Sequence, residues 1–292
     1  MCDSDINRRA FTAASIAAGA VIGAAWSANA QAQGVKASDV TIKTPDGETD
    51  AALYVPPGKG PFPGILIFTD IFGLRPAFRD MGQRLAASGY VVLVPNPFYR
   101  TKKGALLTPE EQASFNFGKD GAKLAPHTGA ITAAGTTSDE GAWLAYLDGL
   151  PQVSKKNKLG VTGYCMGGPR VVQASALRPD RVGAAMACHP GNGLVTANPD
   201  SPHLLAPKIK AKTFFAIAQN DAAQWAMQHP APELAIADQL KAAYAAAGNP
   251  AGAEVFKAAH GWCLNDGAAY NKDEAERAWT QMLAIFKEGT AA

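Results

Sequence analysis

The chain has 292 residues, 47% of them hydrophobic and 18% charged, which is enough apolar material for a buried core and too little charge for a disordered chain. The formal net charge is only +2 and no block of Lys or Arg dominates, which excludes a nucleic-acid partner on electrostatic grounds and leaves small-molecule chemistry. The four cysteines, at positions 2, 165, 188 and 263, show neither paired CxxC spacing nor the density of a disulfide scaffold, and no HExxH-type pair occurs, so no metal or other cofactor is expected.

The N-terminus reads as a targeting segment. Arg8-Arg9, with Phe11 two places on, precedes an apolar Ala-rich stretch from Ala13 to Trp26 and the small-residue patterns Ala28-Asn29-Ala30 and Ala30-Gln31-Ala32. This is the order of an export signal over residues 1–32, with the mature chain starting at about Gln31 or Gln33. The apolar run is shorter than the roughly 20 residues a bilayer core requires. The twin arginine resembles the signal of the twin-arginine pathway. The expectation is a transient encounter with that export machinery and an exported, periplasmic mature protein without a stable membrane span.

Residues 33–292 read as a single α/β domain. An alternating pair, Asp39 to Thr44 and Thr49 to Val55 around Pro45-Asp46-Gly47, predicts an antiparallel hairpin at one sheet edge. The short apolar runs at 64–68, 90–94, 159–163, 182–188 and 213–218 predict strands of a mostly parallel central sheet buried on both faces. Helical spacing at 79–88, 138–150, 169–177, 233–247 and 273–287 places helices on both faces of that sheet. From 96 to about 137 the periodicity weakens, and this stretch is expected to be an insertion over the sheet.

Candidate chemistry begins at Gly163-Tyr164-Cys165-Met166-Gly167-Gly168. A strand runs into Gly-x-Cys-x-Gly and then into a helix, the context of a nucleophile elbow with sulfur in place of hydroxyl. Glycines flank such a turn because a Cβ on either side would collide with the neighbouring chain. A helix N-terminus behind Cys165 also favours its thiolate. The alternative is a buried thiol between two packing glycines. Asp221 follows one late strand and His260 the next, the order nucleophile, acid, base of an α/β-hydrolase arrangement. Asp238, on an outer helix, is a weaker candidate for the acid. His127, His189, His203 and His229 fit no such position.

With these residues the sequence resembles the dienelactone hydrolase (carboxymethylenebutenolidase) family over nearly all of the mature chain. The resemblance implies the α/β-hydrolase fold and a Cys165, His260, Asp221 triad cleaving a small lactone or carboxylic ester. It implies an oxyanion hole from the backbone N–H groups of Ile71, in Thr69-Asp70-Ile71-Phe72-Gly73, and Met166. Where the family usually has Glu, this chain has Asp70, implied to tune the thiol. Arg79 matches a family arginine that pairs with a substrate carboxylate. The position of a second such arginine, a few residues after the His, is occupied by Gly261-Trp262-Cys263-Leu264 and holds no Arg.

Arg75 and Arg100 lie in loops near the same sheet end and read as solvated charges available to replace the missing arginine. Phe72, Phe98, Tyr99 and Trp262 are candidate pocket walls, with plain core packing as the alternative. Cys263, three residues after His260, reads as a packing residue near the site, the alternative being a reversible bridge to Cys165. A hydrolase fold that binds a small ligand without turnover is the competing function, because an exported thiol meets oxidising conditions.

Overall fold

The computed structural model describes residues 34–229 and 234–292. The Arg8-Arg9 segment lies outside the described residues. Eight strands form one sheet: β1 (Lys36–Thr44), β2 (Gly47–Val55), β3 (Gly64–Phe68), β4 (Val91–Pro95), β5 (Leu159–Tyr164), β6 (Val182–Cys188), β7 (Lys212–Ala218) and β8 (Gly252–Phe256). Their spatial order is β1-β2-β4-β3-β5-β6-β7-β8. The first two form the expected edge hairpin, closed at Thr44 opposite Gly47, and β2 runs antiparallel to β4. All later pairings are parallel. Strands β3, β4 and β5 are buried along their whole length, which is why they read as unbroken apolar runs rather than alternating ones.

The long helices are α1 (Pro76–Ala87), α2 (Ala133–Gly149), α3 (Gly168–Leu177), α4 (Gln219–Gln228), α5 (Ile236–Ala246) and α6 (Lys272–Gly289). Trp143 and Leu147 of α2, Val171 and Val172 of α3, and Leu240 and Tyr244 of α5 pack on one sheet face. Phe78 and Leu85 of α1 and Met282 and Phe286 of α6 pack on the other. Helix α1 starts earlier than its apolar spacing indicates because Pro76 occupies the first turn, where a missing N–H costs nothing. Helix α2 likewise begins at Ala133, where the Thr132 hydroxyl accepts from Gly135 N–H at 3.0 Å. Helix α4 is not among the helical spacings read from the sequence: its composition, Gln219-Asn220-Asp221-Ala222-Ala223-Gln224, carries little apolar periodicity, and burial of Trp225 holds it down.

The insertion contains three short helices, Pro109–Ala113, Phe117–Asp120 and Ala125–Thr128, around a small core of Phe98, Leu106 and Leu124. Ile71, Phe72 and Met166 pack against that core. The insertion therefore covers the residues that leave β3 and β5.

Chain order reverses beside β3, with β4 on one flank and β5 on the other. A parallel sheet opens a crevice at the carboxyl ends of its strands at such a point. Phe68 at the end of β3 is in register with Gly163 near the end of β5. The two chains, Thr69-Asp70-Ile71 and Tyr164-Cys165-Met166, thus emerge side by side. The segments that follow β6, β7 and β8 carry His189, Asp221 and His260 at the same end of the sheet.

Candidate active site

Cys165 has φ +52°, a left-handed backbone that a non-glycine residue adopts rarely and at a cost of about 1–3 kcal/mol. The turn is over-determined by its neighbours. A Cβ on Gly163 would overlap the Gly167 carbonyl oxygen, and one on Gly167 would approach the Phe68 carbonyl oxygen to 2.5 Å. The two glycines let β5, the turn and β3 lie in contact, and Cys165 is half-exposed at the crest.

His260 Nδ1–H donates to Asp221, at 2.8 Å from Oδ2 and 2.9 Å from Oδ1. This bond commits Nδ1 to the carboxylate and leaves Nε2 as the ring nitrogen available for proton exchange. The Asp221 carboxylate is buried in the first turn of α4, where it also accepts Gly191 N–H at 3.2 Å. Unpaired N–H groups at a helix start favour a negative charge there. Asn220 Oδ1 accepts His260 N–H at 2.7 Å, so two consecutive residues of α4 hold the His260 loop. Burial lowers the His260 pKa, but the hydrogen bond to Asp221 and the neighbouring Cys165 thiol outweigh it and push the imidazole up to about 10.

The structure brings Cys165, His260 and Asp221 together and separates several of the other residues singled out in the sequence. Asp70 is buried and fully engaged. Arg75 Nη1 and Nη2 donate to its two oxygens at 2.6 and 2.9 Å, and Phe72 N–H donates to Oδ1 at 2.9 Å. Arg75 is not a solvated charge: it is 3% exposed, and its Nε also donates to Asp266 at 2.7 Å. Arg100 is likewise held, by Asp139 at 2.7 Å and Asp46 at 2.6 Å. Arg79 points to the sheet edge, where it donates to Asp39 of β1 at 2.7 Å. Tyr99 OH donates to Asp139 at 2.8 Å and lies 2.7 Å from the Thr44 hydroxyl, so it braces the insertion rather than lining the site.

Trp262 is buried, stacked on Phe256 at 5.2 Å and set edge-on against His189 at 5.1 Å, forming a wall behind His260. Phe72 remains near the site, packed with Phe115 and Phe117 of the insertion. Cys263 is buried and packs with Cys188, and burial, with a further contribution from the Cys188 thiol, raises the Cys263 pKa well above the usual range. The packing role expected for it is the one its surroundings fit.

Two residues escaped sequence reasoning. His189, at φ +37°, is fully buried with its ring 4.9 Å from that of His260 and neither ring nitrogen partnered. Burial, with a smaller contribution from His260, holds its pKa well below the ordinary value, so it stays neutral beside His260. Its position directly after β6 was the available signal. Glu140 of α2 is 1% exposed, and both its carboxyl oxygens lack partners. Burial pushes its pKa up to about 8, helped by Asp139 and opposed by Arg170.

Because the folded chain keeps this proton where the unfolded chain has released it, stability falls as pH rises from about 4.5 to about 8. Glu140→Gln should therefore flatten the decline in melting temperature between about pH 5 and about pH 9, by up to a few kcal/mol in stability. An unchanged slope in calorimetric scans of the two chains would contradict the raised pKa.

A mostly parallel sheet with helices on both faces, a strained turn after β5, and an Asp-held His after the last strand define the α/β-hydrolase class. Residues 49–290 match the model of the dienelactone hydrolase family, and the chain belongs to that family. It is 26% identical to the "Putative carboxymethylenebutenolidase" of Methylorubrum extorquens, over 97% of this chain and 93% of that protein. It is 30% identical to the carboxymethylenebutenolidase of Pseudomonas putida over 44% of this chain and 51% of that enzyme. In fold it is similar to the "Putative Dienelactone Hydrolase" of Klebsiella pneumoniae, with TM-score 0.68 and 22% identity over 87% of this chain and 99% of that one.

Proposed function

We propose that the protein hydrolyses a lactone or small carboxylic ester with Cys165 as nucleophile. The observation that carries this reading is the His260 Nδ1 to Asp221 bond of 2.8 Å beside a cysteine held in a left-handed turn. The Cys165 sulfur attacks the carbonyl carbon and its proton passes to His260 Nε2. The N–H groups of Ile71 and Met166 receive the oxyanion, each donor worth about 3 kcal/mol in the transition state. His260 returns the proton to the leaving alkoxide as the ester C–O bond breaks. Water then attacks the thioester, giving its proton to His260, and the acid departs as Cys165 regains its thiol.

Asp221 orients the imidazole and balances its charge throughout. Once sulfur is acylated, the thiol no longer raises the His260 pKa, so the ring is less fully protonated and open to take the proton of water in the second step. Among the described residues Arg79 is engaged at the sheet edge and the Gly261-Trp262-Cys263-Leu264 stretch just after His260 holds no arginine, so a two-arginine clamp for a substrate carboxylate has no support here. Neutral esters suit the site better than anionic lactones.

The test is hydrolysis of p-nitrophenyl acetate before and after iodoacetamide, followed by lactones and esters graded in size and charge. We expect turnover that alkylation abolishes. No turnover across the series would favour binding without catalysis. The Arg8-Arg9 segment supports export of the mature enzyme to the periplasm by the twin-arginine route. Changing both residues to Lys should retain the uncut precursor in the cytoplasm, and normal export of that variant would defeat this part of the proposal.

A further inference from the structure

A small cavity lies against the Met166–Gly167 turn. Phe68, Pro95, Ile131, Trp143 and Met166 give it mostly apolar walls. Thr69, Glu140 and Arg170 supply its polar end. Thr136, Glu140 and Trp143 reach it from one stripe of α2, at the i, i+4, i+7 spacing that puts side chains on a common helix face.

The polar end is unfinished. Neither Glu140 oxygen nor the buried Thr69 hydroxyl has a hydrogen-bond partner, and Arg170 Nη1 donates to Gln173 at 2.8 Å rather than to Glu140. A buried polar atom left unpaired is costly, and three such atoms around one cavity call for a ligand group to satisfy them. The chemistry of that group follows from the charges around it. Asp46 and Asp139 hold Arg100 by hydrogen bonds, the negative charge of Asp139 also acts on Arg170 across the cavity lining, and burial keeps Glu140 largely protonated at neutral pH. A carboxylate or an ammonium would bring an uncompensated charge into an apolar cavity. A hydroxyl donates to Glu140 and accepts from Arg170 with no charge to compensate.

We propose that this cavity takes an apolar arm of the substrate whose terminal hydroxyl is recognised by Glu140, with Thr69 and Arg170, making the substrate a neutral hydroxylated ester or lactone. The assignment rests on the ester-hydrolase reading above and adds a specificity determinant to it. It is distinct from carboxylate recognition by arginines, because the recognising group is an acid.

The experiment follows acid release by the full mature protein from methyl 6-hydroxyhexanoate, methyl heptanoate, in which a methyl replaces the hydroxyl, and monomethyl adipate, with p-nitrophenyl acetate as a reference. We expect kcat/KM for the hydroxy ester to exceed that of methyl heptanoate by about tenfold and that of the adipate by more. In Glu140→Met, close to Glu in volume, the tenfold preference should fall to about one or invert.

Equal rates on the hydroxy and methyl compounds, a preference that survives in Glu140→Met, or the fastest turnover on the adipate would each overturn the proposal while leaving the hydrolase reading intact. Failure on every ester including p-nitrophenyl acetate would instead remove the hydrolase reading and this inference with it. The wild-type comparison decides the matter by itself should the variant not fold, as checked by circular dichroism.

Discussion

Cys165→Ala and His260→Ala should each reduce ester hydrolysis by about 10⁴-fold or more, and the double variant should be little worse than either. Sulfur cannot attack efficiently without a base to take its proton, and the base has nothing to activate once sulfur is gone. The two losses therefore overlap. Independent, multiplying losses would show that the residues do not act as one unit. Circular dichroism should be unchanged for Cys165→Ala, since only the side chain is shortened and φ +52° is no harder for Ala than for Cys.

The same variant carries a second readout that a merely structural cysteine would not give. Asp221 and Cys165 both raise the His260 pKa against the effect of burial, so Cys165→Ala should lower it, seen by NMR titration of labelled histidine. An unmoved His260 titration would mean that the thiol and the ring do not interact. Cys165→Ser should stay far below the wild type, because a hydroxyl has a much higher pKa than the thiol this site would be tuned to use.

Arg75→Met should destabilise the fold by about 3–5 kcal/mol, equivalent to roughly 10 °C in melting temperature for a domain of this size. Arg75 bridges Asp70, in the loop after β3, and Asp266, in the loop beyond His260, with four contacts between 2.6 and 3.1 Å. Its plane also lies 4.9 Å from the Phe78 ring centroid. Without the guanidinium, Asp70 is left as a buried carboxylate whose remaining hydrogen bond among the described residues is from Phe72 N–H. Two loops then lose their common anchor, one carrying the Ile71 amide and the other His260, so activity should fall further than the unfolded fraction explains.

Arg79→Met is the control: its pair with Asp39 is 40% and 74% exposed, and solvent screening limits the loss to under about 1 kcal/mol. Urea titrations of the two variants measure the contrast. A similar small loss in both would refute the structural role of Arg75.

Much of the site was legible in the sequence because it rests on local constraints. Gly163 and Gly167 mark a turn with no room for a Cβ whatever the rest of the chain does, and unbroken apolar runs mark strands covered on both faces. Once these are read, parallel strand topology brings the ends of β5, β7 and β8 to one edge of the sheet, and with them Cys165, Asp221 and His260. Helix α4 was missed because Gln219 to Gln228 is helical through the packing of Trp225 and the anchoring of Asp221 rather than through its own periodicity.

The sheet, the cysteine turn and the order of its partners follow from residue spacing along the chain. Which charges meet follows from the folded arrangement alone. Arg75 finds Asp266 across 191 positions, Arg79 turns to Asp39, His189 closes against His260, and Glu140 is left facing a cavity without a partner. Ion pairs, buried rings and cavities depend on which elements become neighbours in space, and residue spacing carries no record of that.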